Sequence, residues 1–273
     1  MDRTQETRSA AVAGLFYPGT RAALTEDVQA LLGAAREQAP AVPTPKALIV
    51  PHAGYIYSGP IAASAYVQLE ALRAVIRRVV LLGPVHRVPV RGLALPGVEA
   101  FTTPLGRIPI DNEAAARILP LRQVTTSRPA HAQEHSLEVQ LPFLQQVLDN
   151  FSLLPLAVGD ASTEEVAEVF DVLWGGPETL IVVSSDLSHY LPYEQARRVD
   201  ADTCAAIRGL HTNLTHEQAC GGTPVNGLLL AARRHHLVAT LLDRRTSGDT
   251  AGDRDRVVGY AAFALSPETS HAH

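Results

Sequence analysis

The stretch Ala47-Leu48-Ile49-Val50-Pro51-His52-Ala53-Gly54-Tyr55 constrains this chain most. Four apolar residues run without a break into Pro-His-Ala-Gly. A short continuous apolar run reads as a strand buried on both faces, the kind found in parallel sheets. Pro51 cannot donate to a ladder and Gly54 permits a turn, so the strand is predicted to stop at His52. A histidine at the carboxyl end of such a strand lies where open α/β sheets bind ligands.

Two further stretches share the design. Val79-Val80-Leu81-Leu82 leads through Gly83-Pro84-Val85 to His86, and Leu180-Ile181-Val182-Val183 leads through Ser184-Ser185-Asp186-Leu187-Ser188 to His189. Side by side in one parallel sheet, these strands bring His52, His86 and His189 to one edge. Between the first two, residues 58–71 carry Ile61, Ala65, Leu69 and Leu72 nearby at helical spacing, with Pro60 suited to a first turn. Strand, helix, strand is a βαβ unit.

The rest of the chain fits a single α/β domain with a mostly parallel central sheet flanked by helices. Residues 1–9 are charged and are expected to be mobile, the domain runs over 10–266, and 267–273 form a mobile tail. A helix is expected from a cap at Thr25-Glu26-Asp27. Residues 87–110 read as an excursion with one or two short strands. Helices are expected over 112–119, 138–148, 162–173, 194–210 and 225–234, with strands over 151–158, 237–245 and 257–265. The 273 residues are 46% hydrophobic and 19% charged, enough for a sizeable core. A net charge of -5 argues against a nucleic-acid footprint. The two cysteines make no disulfide framework, and neither a signal peptide nor a run of membrane-spanning length is found, so a reduced, cytoplasmic setting is expected.

Neutral imidazoles suit iron, copper or zinc, and an open redox site commonly adds an anionic ligand to two histidines. Cys220, in Ala219-Cys220-Gly221-Gly222-Thr223-Pro224, is the favoured anion: a helix N-terminus and a nearby metal both lower a thiol's pKa. Burial as a small apolar residue is the equal alternative there, and the preferred one for Cys204 within an amphipathic helix. Asp186 either orients or ligates at the site, or caps the next helix. Glu134 is a pocket residue or a helix-start charge, and His135 can line the pocket as an acid or base. Tyr55 and Tyr57 are pocket walls or core. His211, His216, His235, His236, His271 and His273 read as solvated. No P-loop, dinucleotide fingerprint, CxxC pair or nucleophile elbow is present.

Six ordered segments carry a resemblance: 12–18 (VAGLFYP), 50–55 (VPHAGY), 83–86 (GPVH), 134–142 (EHSLEVQLP), 184–190 (SSDLSHY) and 220–224 (CGGTP). Together they resemble the motifs of the Memo-like family, whose prokaryotic members are called AmmeMemoRadiSam system protein B. The resemblance implies a fold like that of class III extradiol dioxygenases, with a pocket for non-haem iron. It implies His52 and His86 as metal ligands, Cys220 in place of the dioxygenase glutamate, and His189 as acid/base residue; from the residues themselves, Asp186 and His135 join His189 as catalytic candidates. Iron or copper is the implied cofactor, ahead of zinc. A thiolate ligand is itself oxidisable, so a redox link is expected and ring cleavage is not. An unknown small molecule or peptide is the expected partner, either as substrate or in a non-catalytic binding role. The family name also implies a pathway link to a radical-SAM protein and an AMMECR1-like protein. No nucleic acid and no membrane are expected.

Overall fold

The computed structural model describes residues 6–38, 40 and 42–268. In chain order the elements are β1 (Thr7–Arg8), α1 (Arg21–Gln38), β2 (Ala47–Val50), α2 (Tyr55–Tyr66), β3 (Arg78–Pro84), β4 (Leu93–Leu95), β5 (Ala100–Thr103), β6 (Gly106–Pro109), α3 (Asn112–Ile118), β7 (Val124–Thr126), α4 (Arg128–Ala132), α5 (Leu141–Val147), β8 (Ser152–Val158), α6 (Thr163–Leu173), β9 (Thr179–Ser184), β10 (His189–Leu191), α7 (Tyr193–Arg208), α8 (Gly222–Arg234), β11 (Leu237–Thr246) and β12 (Val257–Pro267). The main sheet runs β10-β12-β2-β9-β3-β8-β4-β7, with β11 also paired to β12. A small sheet, β1-β5-β6, stands apart.

The three apolar runs form β2, β9 and β3, adjacent and parallel as expected. The sheet as a whole is mixed, because β12 runs antiparallel to β2, β10 and β11, and β4 runs antiparallel to β8. Those strands arrive by hairpin-like or edge connections, which a reading of apolar runs alone does not orient.

Alternation along the central strands sends side chains to two cores. Leu48, Val50, Val79, Leu81, Leu180 and Val182 face a core completed by α1, α2 and α5. Ala47, Ile49, Val80, Leu82, Ile181 and Val183 face one completed by α3, α6, α7 and α8. Burying each such Leu, Ile or Val stabilises by about 1.5–3 kcal/mol. Helices on both faces make the three-layer α/β architecture predicted from the sequence.

Register levels the strand ends. Val50 pairs with Ser184, and Leu82 pairs with Val183. The helix after β2 lies on one face, while the helix after β9 and β10 lies on the other. The carboxyl ends of β2, β9 and β3 thus lie level at one edge of the sheet, the edge at which open α/β sheets bind ligands.

Several local expectations change. The segment 1–9 is not free throughout: residues 1–5 lie outside the described residues, but Thr7–Arg8 pairs with Ala100-Phe101 and Arg8 is buried. Thr25-Glu26-Asp27 lies inside α1, which begins at Arg21. The excursion holds three short strands, β4, β5 and β6. The expected helix over 138–148 begins as a 3-10 turn, Glu138–Gln140, before α5. The helix expected over 225–234 begins earlier, as α8 starts at Gly222 with Gly221 as its N-cap.

Candidate metal centre

His52 follows β2 after Pro51, is buried, and its backbone N–H donates to Asp186 Oδ1 at 2.7 Å. Its ring Nδ1 lies 2.8 Å from Ser184 Oγ, and its Nε2 lies 3.4 Å from Cys220 Sγ. His86 follows β3. Glu134 grips it twice, accepting from its backbone N–H at 2.6 Å and facing its Nδ1 at 2.9 Å. Cys220 is delivered by the turn before α8. Its N–H donates to Asp186 O at 3.3 Å, and the next residue's N–H donates to Ser185 Oγ at 3.0 Å. One ligand atom from each of His52, His86 and Cys220 lies within 4.8 Å of the others.

These donors fit a transition metal. Two imidazoles and a thiol form a borderline-soft set, and the set suits iron, copper or zinc ahead of magnesium or calcium. Glu134 is the carboxylate partner that a ligating histidine commonly has on its other nitrogen. A second group, His86, Glu134 and His135, has donors equally close, but His86 Nδ1 is already engaged with Glu134.

Electrostatics follow from burial. His52 is held well below its ordinary pKa by burial and by the neighbouring histidines, so it is neutral. Burial also pushes His135 down to about 4, helped by the His86 charge. Burial would raise Glu134, but hydrogen bonds from His86 and Ser136 and the His86 charge bring it down to about 2. Burial lifts Asp186 to about 7 against the opposing bond from the His52 amide. In the metal-free chain the helix end does not prevail: burial, with the Asp186 charge, pushes the Cys220 thiol up to about 12, and the lowering expected from a nearby metal belongs to the loaded site. Without a metal it is a thiol, and a bound cation must displace its proton. Cys204, buried on α7, is likewise pushed up to about 12, as an inert core residue would be.

The other site residues sort unevenly. His135 stacks on His86 with ring centroids 4.6 Å apart and meets His52 edge-on at 5.4 Å. His189 begins β10, and its Nδ1 lies 2.8 Å from Leu187 O; it is close enough to lower the His52 pKa, but stands outside the donor cluster. Asp186 serves the His52 amide and does not cap α7, whose N-cap is Pro192. Tyr55 belongs to the core rather than to a pocket wall: it is 3% exposed and its hydroxyl donates to Val139 O. His216 and His235 are not simply solvated. His216 Nδ1 lies 3.4 Å from Cys220 O, and His235 stacks on Trp174.

Sequence reading assigned no role to Ser184, Gln140 and Ser136, all fully buried and joined to one another behind His52. The signal was available, since three polar residues sit where an apolar strand and an amphipathic helix would otherwise bury hydrocarbon. A cavity of about 510 Å³ opens on His86 and Cys220, walled by Val85, Val88, Pro89 and Pro224, with Arg87 and His216 at it.

The framework is thus that of an open α/β sheet with two histidines just beyond its strand ends and a cysteine brought to them by the turn before α8. The Memo family model, described as "Memo-like protein", matches residues 8–264, and the chain belongs to that family. A MEMO1 family protein of Aquifex aeolicus is 38% identical over 93% of this chain and 97% of its own. One from Methanosarcina acetivorans is 38% identical over 95% of this chain and 99% of its own. Among solved structures, the uncharacterised protein JW3007 from Escherichia coli K12 shares the fold, with a TM-score of 0.50 and 14% identity over 80% of this chain and 98% of that one.

Proposed function

We propose that this chain holds one redox-active metal ion, iron or copper, through His52, His86 and Cys220, and handles a small molecule in the adjoining cavity. The observation that carries this is convergence: three donors from three separate elements come within 4.8 Å of one another. The metal would supply Lewis acidity and one-electron chemistry when bound. The chain's own groups do the rest. Glu134 orients His86, Asp186 anchors the His52 backbone, and neutral His135 and His189 would accept or hand on a proton. At about 510 Å³ the cavity is of small-molecule size.

One observation favours a second, binding-only reading. Leu15, Ile56 and Tyr190 are 80%, 69% and 61% exposed; Ile56 and Tyr190 follow His52 and His189 closely in the chain, and Leu15 precedes Phe16, whose ring lies 4.9 Å from that of His135. A partner protein or peptide that covers the site would bury them.

Metal analysis of protein purified without added metal tests the first reading. The native chain is expected to carry close to one equivalent of iron or copper, with His52→Ala and Cys220→Ser nearly empty. Equal content in all three proteins overturns it. Oxygen uptake with a panel of phenols, lost in His189→Ala, supports catalysis; silence with metal present supports the binding reading.

A further inference from the structure

A neutral imidazole has one N–H, and only its other nitrogen can ligate a metal. For His52 the choice is written in a chain of buried hydrogen bonds. Ser184 Oγ lies 2.6 Å from the Ser136 carbonyl, which can only accept, so the single hydroxyl proton goes there. Gln140 Nε2 lies 2.9 Å from the same hydroxyl oxygen and 2.9 Å from Pro51 O. The direction of that amide is fixed as well. Reversed, it would set its oxygen against the Pro51 carbonyl, and in the present orientation its Oε1 accepts from Tyr66 OH at 2.8 Å. Ser184 Oγ therefore has its proton committed and one lone pair taken. Toward His52 Nδ1, at 2.8 Å, it can only accept.

We propose that Ser184, backed by Gln140, is a positioning residue that holds His52 in the Nδ1–H tautomer and keeps the Nε2 lone pair aimed at Cys220 Sγ, 3.4 Å away. This use of the tautomer rests on the metal-centre reading; the tautomer itself is a property of the metal-free chain. The two histidines are thus prepared by different means. His86 is exposed and carries a carboxylate behind it. His52 Nδ1 instead meets a neutral hydroxyl, the buried Asp186 carboxylate beside it being engaged by the His52 backbone N–H. The geometry also accounts for polar residues in 134–142 and 184–190 that contact neither solvent nor the cavity.

The test is a two-bond proton–nitrogen correlation spectrum of metal-free protein with nitrogen-15 histidine, His52 being assigned by its loss in His52→Gln. The native chain is expected to show His52 protonated on Nδ1. Ser184→Ala is expected to give a substantial Nε2–H population and to weaken Co(II) binding about 10- to 100-fold, the usual cost of losing such an orienting partner. Ser184→Thr, which keeps a hydroxyl, is expected to restore both, and Gln140→Leu to keep the Nδ1–H form. A native His52 protonated on Nε2 overturns the proposal, whether or not Ser184→Ala folds. So does Ser184→Ala with an unchanged tautomer and unchanged Co(II) affinity. If the native chain binds no Co(II), the metal reading fails while the spectrum still decides the tautomer.

Discussion

His131 is a buried histidine with a partner for one nitrogen. Its Nε2 donates to Ala94 O at 2.7 Å, while its Nδ1 has no partner among the described residues. Burial pushes its pKa down to about 4, the Ala94 carbonyl opposing and the Arg8 charge assisting. The unfolded chain takes a proton near pH 6.5, so between that value and about 4 the unfolded state binds more protons than the native state. This contribution to stability is complete above pH 6.5, falls as the pH drops through that window, and changes no further below it. At about 1.4 kcal/mol per pKa unit it is worth roughly 3 kcal/mol. His131→Leu removes the titration. Urea unfolding of metal-free protein is expected to show a shallower loss of stability for the variant from pH 6.5 to 4.5; parallel curves would rule the assignment out. From sequence, His52 ends a continuous apolar run, whereas 128–133 (RPAHAQ) gives no sign that His131 is buried. Its burial is a matter of tertiary placement.

The strands at the centre were legible because β2, β3 and β9 are continuous apolar runs, and burial on both faces leaves no other pattern. The turn that brings Cys220 in was only half legible. Its glycines signalled a tight place, but the reason for Gly221 lies in another element. A Cβ there would come within 2.7 Å of Ser184 O and 2.7 Å of Ser185 Cβ, both at the end of β9. Gly221→Ala must therefore push the start of α8 away from the strand that carries Asp186. The expected cost is about 1–3 kcal/mol, as for other overpacked sites. Metal content should fall with it, because Cys220 moves. Gly33 in α1 is the contrast: a Cβ there meets only Arg36 Nη1, at 4.0 Å. Gly33→Ala is expected to raise stability by up to about 1 kcal/mol through helix propensity alone. Thermal melts of the two variants read both effects, and a neutral Gly221→Ala would contradict the close approach.

On the scale of the whole molecule, the amino-terminal segment is part of the site's support. Glu138 is fully buried and gathers four donors: Arg8, the backbone N–H groups of Ala11 and Val12 at 2.8 and 3.0 Å, and Tyr17 OH. Arg8 continues to His131 O at 3.0 Å and Glu134 O at 2.7 Å, so it braces the loop whose carboxylate holds His86. Nothing in the sequence marks this. A charged residue near the start of a chain reads as a solvated tail, and Glu138 occupies what looks like the polar face of a helix; their pairing spans 130 positions. Removing one partner of a buried pair leaves the other charge stranded, at about 3–5 kcal/mol. Arg8→Met leaves Glu138 with three remaining donors, whereas Glu138→Gln leaves Arg8 with only two carbonyls and deprives Tyr17 and two amides of a charged acceptor. Glu138→Gln is therefore expected to be the costlier change. In a double-mutant cycle read by urea unfolding, the two losses should fall short of adding, with a coupling of about 1–3 kcal/mol. Because Arg8 also holds the Glu134 loop, Arg8→Met is expected to weaken Co(II) binding although it lies outside the donor set. Full additivity of the two losses, together with an unchanged Co(II) affinity, would mean that the segment merely covers the domain and does not brace the site.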